Sequence, residues 1–187
     1  TYMNEGLMTG IFLDQKEVRG TLASGLVAGK TLLNMFSYTG AFSVAAAFGG
    51  ASQTTSVDLA KRSLDKTREQ FTMNGIDPES QRIYVMDVFG YFNYAKKKEL
   101  SYDVVVLDPP SFARNKKKTF SVAKNYGELV QESIDILNKE GLLIASTNAA
   151  NVSREKFRKM VEQALKNKNV KFEIFQEEHL PADFKVA

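Results

Sequence analysis

The sequence predicts an α/β fold: a Rossmann-like, doubly wound and mostly parallel sheet, with a short N-terminal hairpin and helix in front of it. Apolar stretches of strand length alternate with amphipathic stretches of helix length over most of the chain. Such alternation is typical of parallel sheets covered by helices on both faces. The 187 residues, 43% of them hydrophobic, suffice for one domain with a sizeable core. We therefore expect an extension at 1–30 and one main domain at 31–187.

The individual elements follow from this alternation. Apolar or alternating runs predict six strands, at 31–36, 53–58, 82–87, 102–108, 141–147 and 170–178. Helical periodicity or alanine enrichment predicts five helices between them, at 41–49, 59–75, 88–98, 125–138 and 153–167. In the extension, "GLMTGIFLD" (6–14) predicts a short strand or hairpin, and "QKEVRGTLAS" (15–24) predicts a helix.

Composition excludes several kinds of chemistry. The chain contains 0 cysteines, which excludes disulfides, thiolate metal sites and a cysteine nucleophile. Because it has only 1 histidine, His179, we predict no bound metal and expect this side chain at the surface. No apolar run is long enough to cross a bilayer and no signal peptide opens the sequence, so we expect a cytoplasmic protein without a membrane partner. The net charge of +3 is compatible with a nucleic-acid partner.

Polar residues follow the predicted strands where an open parallel sheet binds its ligands, beyond the carboxyl ends of the strands. The first strand leads into "FSYTGAFS" (36–43), in which Gly40 forms the turn before a helix. Asp58 ends the second strand at about the 20-residue spacing at which an acid accepts the ribose hydroxyls of a nucleoside. Asp87 and Asp108 end the third and fourth strands. The alternative is that these acids simply terminate strands, since aspartate favours turns.

Two glycine motifs bear on the type of nucleotide. A dinucleotide site needs G-x-G-x-x-G after the first strand, whereas Gly40 is the only glycine in that turn, so a pyrophosphate ligand is disfavoured. The stretch "GLVAGKT" (25–31) lacks the spacing of a P-loop and precedes a strand instead of following one. A nucleoside bound in such a crevice without a pyrophosphate indicates S-adenosylmethionine.

Four motifs carry a resemblance to a known family: "GIFLDQKEVR", "NMFSYTGAFSVAAAFGGA", "SVDLAKRSL" and "VVVLDPPSFARNKK". In this order they resemble class I methyltransferases of large-subunit (23S) ribosomal RNA, over about 6–184. This family includes the type I cytosine-C5 enzyme and the guanine-N7 domain of the fused K/L enzyme. The resemblance implies a methyltransferase fold, S-adenosylmethionine as cofactor and RNA as partner. Family members carry a further RNA-binding domain before this one, and both ends of the chain look cut, so we expect a fragment.

By this resemblance, the turn after the first strand cradles the methionine part of the cofactor and Asp58 takes the ribose. Asp87, Val88 and Phe89 take the adenine, and a group in the extension closes over the cofactor carboxylate. The full set of implied cofactor residues is Asp14, Gln15, Arg19, Phe36, Ser37, Tyr38, Thr39, Gly40, Ala41, Ser43, Asp58, Leu59, Asp87, Val88, Phe89 and Asp108.

The acceptor edge is expected in "DPPSF" (108–112), where Pro109 and Pro110 hold an extended backbone. Asp108, both prolines and Phe112 are the candidate catalytic residues, with Phe112 as a platform for a flipped-out base. Core packing is the alternative for Phe112. The following basic residues are candidates to contact RNA phosphates, or else form a solvated loop; they are Arg114, Lys116, Lys117 and Lys118.

Methylation of carbon 5 of a pyrimidine requires a cysteine that first adds to the ring. The cytosine-C5 relatives carry it after the fifth strand, where this chain reads "IASTNAAN" (144–151). We therefore favour direct in-line transfer to a nitrogen, with guanine N7 as the leading candidate. The alternatives are a cytosine-C5 relative, a small-molecule or protein methyltransferase, and a cofactor-binding module without activity. The oligomeric state, including a homodimer, is left open.

Overall fold

The computed structural model describes residues 10–114, 119–181 and 183. Within them the strands are β1 Thr31–Met35, β2 Gln53–Asp58, β3 Arg82–Val85, β4 Tyr102–Leu107, β5 Phe112–Arg114, β6 Thr119–Ser121 and β7 Leu137–Ala145. The α-helices are α1 Lys16–Thr21, α2 Ala41–Phe48, α3 Arg62–Met73, α4 Val88–Lys97, α5 Val122–Ile134 and α6 Arg154–Asn167. Short 3₁₀ turns lie at Leu13–Gln15 and Pro78–Ser80, and a π turn lies at Leu22–Leu26.

The main sheet has five strands in the order β3-β2-β1-β4-β7, and all its neighbours pair in parallel. β1 lies between β2 and β4, with Leu33 opposite Thr55 on one side and Val105 on the other. The chain builds outwards from β1 to β3 and then returns to place β4 on the other side of β1. This reversal is the switch point beside which open sheets bind ligands, and it confirms the predicted doubly wound fold.

Both faces of the three central strands, β1, β2 and β4, are largely buried, as continuous apolar strands of a parallel sheet require. On β4, Val104 and Val106 pack with α2 on one face, whereas Val105 and Leu107 pack with α4 and α5 on the other. All four are fully buried. The side chains alternate between the two faces because a strand has a two-residue period. The packing on both faces holds the end of β4 in place at the switch point.

The extension differs in part from its prediction. Residues 1–9 lie outside the described part of the chain; the rest of the expected strand or hairpin, 10–14, forms a bend and a 3₁₀ turn, so a strand there is wrong. The expected helix is present as α1 and the π turn. It packs closely on the end of α2, since a Cβ added at Gly49 would lie 2.0 Å from the carbonyl oxygen of Leu22.

The predicted sixth strand, 170–178, is wrong, since this segment joins no sheet in the described residues. Its side chains are mostly exposed, including Phe172 and Phe175. Glu177 instead ties the segment to α6 through ion pairs with Arg154 and Arg158. Alternating polarity marks the two faces of a strand but does not supply a neighbouring strand to pair with.

A second, two-stranded sheet was not predicted. β5 and β6 pair antiparallel, with Phe112 opposite Ser121 and Arg114 opposite Thr119. We call this pair the ribbon. It leads directly into α5, which begins at Val122, earlier than the predicted start at 125. The ribbon therefore lies between the end of β4 and α5, next to the switch point.

Candidate functional site

The turn after β1 has an unusual backbone. Phe36, Tyr38 and Gly40 all have positive φ, at 60°, 51° and 77°. Non-glycine residues in this region are strained and cluster at functional sites. At Gly40 the space is restricted as well, because an added Cβ would lie 2.5 Å from Cγ2 of Thr67 on α3. The turn is thus held in one conformation at the switch point, as the candidate cradle requires.

Asp58 at the end of β2 holds this turn in place. One carboxylate oxygen accepts a hydrogen bond from the Tyr38 amide at 2.9 Å. The other accepts from the Ala60 amide at 2.8 Å and from the Ser63 hydroxyl at 3.1 Å. A carboxylate has about four acceptor positions, so capacity remains for a ribose hydroxyl on the oxygen that faces Tyr38.

The predicted adenine residues lie together where β3 leads into α4. Asp87 caps the helix, since its side chain accepts from the Gly90 amide at 3.1 Å. Val88 is buried and Phe89 is half-buried in the first turn. Leu59, after β2, is exposed. The structure therefore brings these residues to the same sheet edge as Asp58, and their contact with a cofactor stays a prediction.

The extension covers the turn from the other side. The ring of Phe12 lies 5.5 Å from that of Tyr38, and the Thr39 hydroxyl donates to the carbonyl of Gly10 at 2.5 Å. Arg19 donates to the carbonyl of Phe12 at 2.7 Å. Asp14 and Gln15 are half-buried in the 3₁₀ turn that lies between Phe12 and Arg19.

Ser37, Ala41 and Ser43 are the remaining predicted cofactor residues near this turn. Ser37 is buried, and Ala41 begins α2. Ser43 is fully buried in the first turn of α2, where its hydroxyl binds Asn34 at 3.1 Å and Ser56 at 2.7 Å. The Ser43 hydroxyl therefore lies between α2 and the sheet, and its contact with a cofactor stays a prediction.

Asp108 follows β4 and is held by Ser146, whose hydroxyl donates to its carboxylate at 2.6 Å. Burial raises the pKa of Asp108; the Ser146 bond lowers this pKa, Asp14 raises it and Arg19 lowers it. Burial likewise lowers the pKa of Arg19, while Asp14 and Asp108 raise it. The charges of Asp14 and Arg19 in the extension therefore act on Asp108 at the end of β4.

The predicted acceptor edge is a segment tied to the loop after β7, and it carries an exposed aromatic residue. Pro109 is buried and Pro110 exposed. Ser111 donates to the side-chain oxygen of Asn148 at 3.1 Å, which ties the segment to the loop after β7. The Phe112 side chain is 61% exposed, so core packing, the alternative for this residue, does not apply. Its role as a base platform stays a prediction.

Sequence reasoning missed three residues that shape this edge. Ser146 directly follows β7. It could have been found in the same way as Asp108, as a polar residue at the carboxyl end of a parallel strand. Tyr126, fully buried on α5, donates to the carbonyl of Leu107 at 3.1 Å and fixes the end of β4. Phe120, buried on β6, lies between the two predicted halves of the cofactor site. No sequence signal marked the last two, because both act through tertiary contacts.

Of the four residues predicted to contact RNA, the described part of the chain includes Arg114. Arg114 ends β5, whereas Lys116, Lys117 and Lys118 lie outside the described residues, so these contacts stay predictions. His179 is exposed, as expected. Across 10–114, 119–181 and 183, His, Asp and Glu side chains form no cluster of three suited to a metal ion. In the same part of the chain, every helix is too short or too polar to cross a membrane.

This combination of fold and site has a counterpart among known proteins. A profile described as S-adenosylmethionine-dependent methyltransferase matches residues 3–182. The chain therefore belongs to this family, which confirms the predicted class of methyltransferase and the predicted cofactor.

Several curated relatives are named as methyltransferases of large-subunit ribosomal RNA. YwbD of Bacillus subtilis, named provisionally as a ribosomal RNA large subunit methyltransferase, is 55% identical over 98% of this chain and 46% of its own length. Ribosomal RNA large subunit methyltransferase K of Neisseria meningitidis is 38% identical over 78% of this chain and 42% of its own. Methyltransferase I of Klebsiella pneumoniae is 34% identical over 85% and 40%.

A solved structure is similar to this chain in both fold and sequence. The crystal structure of SMU.776 in complex with SAH superimposes with a TM-score of 0.93 at 52% identity, over 98% of this chain and 48% of that one. The chain thus spans about half the length of the relatives it matches.

Proposed function

We propose that this chain is the catalytic domain of a methyltransferase that modifies a base of large-subunit ribosomal RNA. The observation that carries the proposal is the meeting of two sets of residues at the switch point. The turn that ends in Gly40, together with Asp58 and Asp87, lies on one side of the end of β4. The Asp108–Phe112 segment lies on the other, so a cofactor and an acceptor base would meet at the end of β4.

The residues present fit S-adenosylmethionine. Asp58 and Asp87, at the ends of adjacent strands, suit the ribose hydroxyls and the adenine amino group, and neither requires a pyrophosphate. Arg19, half-buried and close enough to Asp108 for their charges to interact, suits the carboxylate of the methionine part. When bound, the cofactor supplies an electrophilic methyl group on a sulfonium. The protein supplies position, because an acceptor held in line at near-attack distance gains most of its rate from orientation.

On the acceptor side, Phe112 offers an exposed ring on which an extruded base can stack. The carbonyls of the Pro109–Pro110 segment can accept from an amino group at the edge of that base. Ser111, bound to Asn148, keeps the segment in place. Asp108 begins this segment and is held in place by the Ser146 hydroxyl.

Within this function we propose transfer to a ring nitrogen, with guanine N7 favoured. Guanine N7 has a lone pair in the plane of the ring, so it needs neither a nucleophile nor a strong base. When the nitrogen bonds to the methyl carbon, the sulfur–carbon bond breaks and the positive charge passes from sulfur to the base. The absence of cysteine from the sequence supports this route over carbon 5 of cytosine.

Cytosine C5 is the second candidate, because the relatives include methyltransferases named I as well as K. A transcript in which cytidine is replaced by 5-fluorocytidine separates the two routes. Such a base traps an enzyme that attacks it with a thiol, because the fluorine cannot leave as a proton does. We expect no covalent complex on a denaturing gel, and a covalent complex would reject the nitrogen route.

The proposal is tested by mass spectrometry of nucleosides from large-subunit rRNA of cells that lack the gene. We expect one N-methylated guanosine to disappear and to return with the wild-type gene. The variant Asp58→Ala should not restore it. The matched control Asp65→Ala changes an exposed acid on the neighbouring helix α3 and should restore it. An unchanged nucleoside profile in the deletion strain would contradict the proposal.

A further inference from the structure

Phe120 of the ribbon contacts both predicted halves of the cofactor site. Its ring centroid lies 5.9 Å from that of Phe36 and 6.5 Å from that of Phe89. Both distances fall within the range of favourable aromatic pairs, about 4.5–7 Å. Phe36 is the first residue of the strained turn after β1, and Phe89 lies in the first turn of α4. The buried Phe120 ring therefore links the methionine side to the adenine side.

The same ribbon carries the acceptor platform. Phe112 begins β5 opposite Ser121, and Ala113 lies opposite Phe120, so the two phenylalanines occupy neighbouring positions of one small sheet. The base of the ribbon is closed by the Val122 amide, which donates to the carbonyl of Ser111 at 3.2 Å. Because the two strands are hydrogen-bonded together, a displacement of Phe120 also displaces Phe112.

We propose that Phe120 is a positioning residue that couples cofactor binding to RNA binding. A cofactor that fixes Phe36 and Phe89 also fixes the ring packed between them, and thereby fixes Phe112 in the position that receives a base. RNA that binds afterwards loses less conformational freedom, which is a coupling free energy between the two sites. Such coupling is reciprocal, so RNA strengthens cofactor binding by the same factor. This inference rests on the proposed function.

The test measures the dissociation constant of the full-length protein for an unmodified 23S rRNA transcript, with and without saturating S-adenosylhomocysteine. In the wild type we expect binding to tighten by about fivefold or more, the lower range of such couplings. In Phe120→Leu this ratio should fall close to one. The matched control Phe71→Leu alters a fully buried phenylalanine of α3 and should keep the wild-type ratio.

A ratio in Phe120→Leu equal to the wild-type ratio would overturn the inference. Hydrogen exchange on the wild type gives a second measurement, which holds even if the variant does not fold. S-adenosylhomocysteine should increase amide protection in β6 and the first turn of α5, and unchanged protection there also overturns the coupling. A wild type that binds no S-adenosylhomocysteine contradicts the proposed function itself. One that binds both ligands independently contradicts only the coupling.

Discussion

Ser146 donates a hydrogen bond of 2.6 Å to Asp108 and so joins the ends of two neighbouring strands, β7 and β4. The bond matters because Asp108 is a partly buried carboxylate at the point where cofactor and acceptor are expected to meet. Burial raises its pKa, and the Ser146 hydroxyl acts in the opposite direction. Burial therefore disfavours the charged form of Asp108, whereas the hydrogen bond from Ser146 favours it.

Removing this hydroxyl should change the pH dependence of the reaction. In Ser146→Ala the pKa of Asp108 should rise further, since a hydrogen bond to the charged form is lost. If the charged carboxylate is the active form, the acid limb of a plot of kcat/KM against pH moves to higher pH. Ser146→Thr keeps a hydroxyl and should leave the limb near its wild-type position. An acid limb that is the same in all three proteins would exclude Asp108 as the titrating group.

Gly40→Ala should destabilise the protein through two effects at once. The residue has a φ of 77°, and its new Cβ would meet Cγ2 of Thr67. We expect a loss of about 1–3 kcal/mol in the free energy of unfolding, measured by urea denaturation. Gly75→Ala is the matched control, because Gly75 has a φ of 71° and nothing within 4 Å of the added Cβ.

The contribution of the contact can be separated from that of the backbone. Thr67→Ser removes Cγ2, so the double variant Gly40→Ala with Thr67→Ser should recover part of the lost stability. Equal losses in Gly40→Ala and Gly75→Ala, with no recovery in the double variant, would show that the close approach to Thr67 is unimportant.

Phe112→Ala should lower activity on RNA while leaving the fold intact. The side chain is 61% exposed, so its removal costs little stability. Stacking of a base on an aromatic ring is worth about 1–3 kcal/mol, so kcat/KM for the transcript should fall about five- to 150-fold. Calorimetry should show unchanged affinity for S-adenosylhomocysteine.

Phe175→Ala is the matched control for this prediction, because Phe175 is also 61% exposed but lies in the segment after α6. It should retain wild-type activity. If the two variants lose activity equally, or if neither loses it, Phe112 does not act as the base platform.

The sequence predicted the main sheet because strand periodicity and burial agree there. The run from Val104 to Leu107 is apolar on both faces, as only a strand covered by helices on both sides needs to be. The ribbon was missed because its strands are short and one of them follows a basic run, so no local periodicity marks them. The segment 170–178 shows the converse: its alternation is clear, yet the described residues provide no strand beside it.

Asp58, Asp87 and Asp108 could be found in the sequence because the carboxyl ends of parallel strands meet at one edge. Ser43 could not be placed, since the side of α2 that it faces depends on how the helix packs on the sheet. Phe120 gave no signal because its importance lies in contacts with residues distant along the chain, Phe36 and Phe89.

The proposed reaction is the direct transfer of a methyl group from S-adenosylmethionine to a nitrogen of an rRNA base. The most direct measurement uses the full-length protein, unmodified 23S transcript and cofactor with an isotope-labelled methyl group, followed by digestion and mass spectrometry of the nucleosides. We expect the label in N-methylated guanosine. Label in 5-methylcytidine, or no label in the RNA, would contradict it.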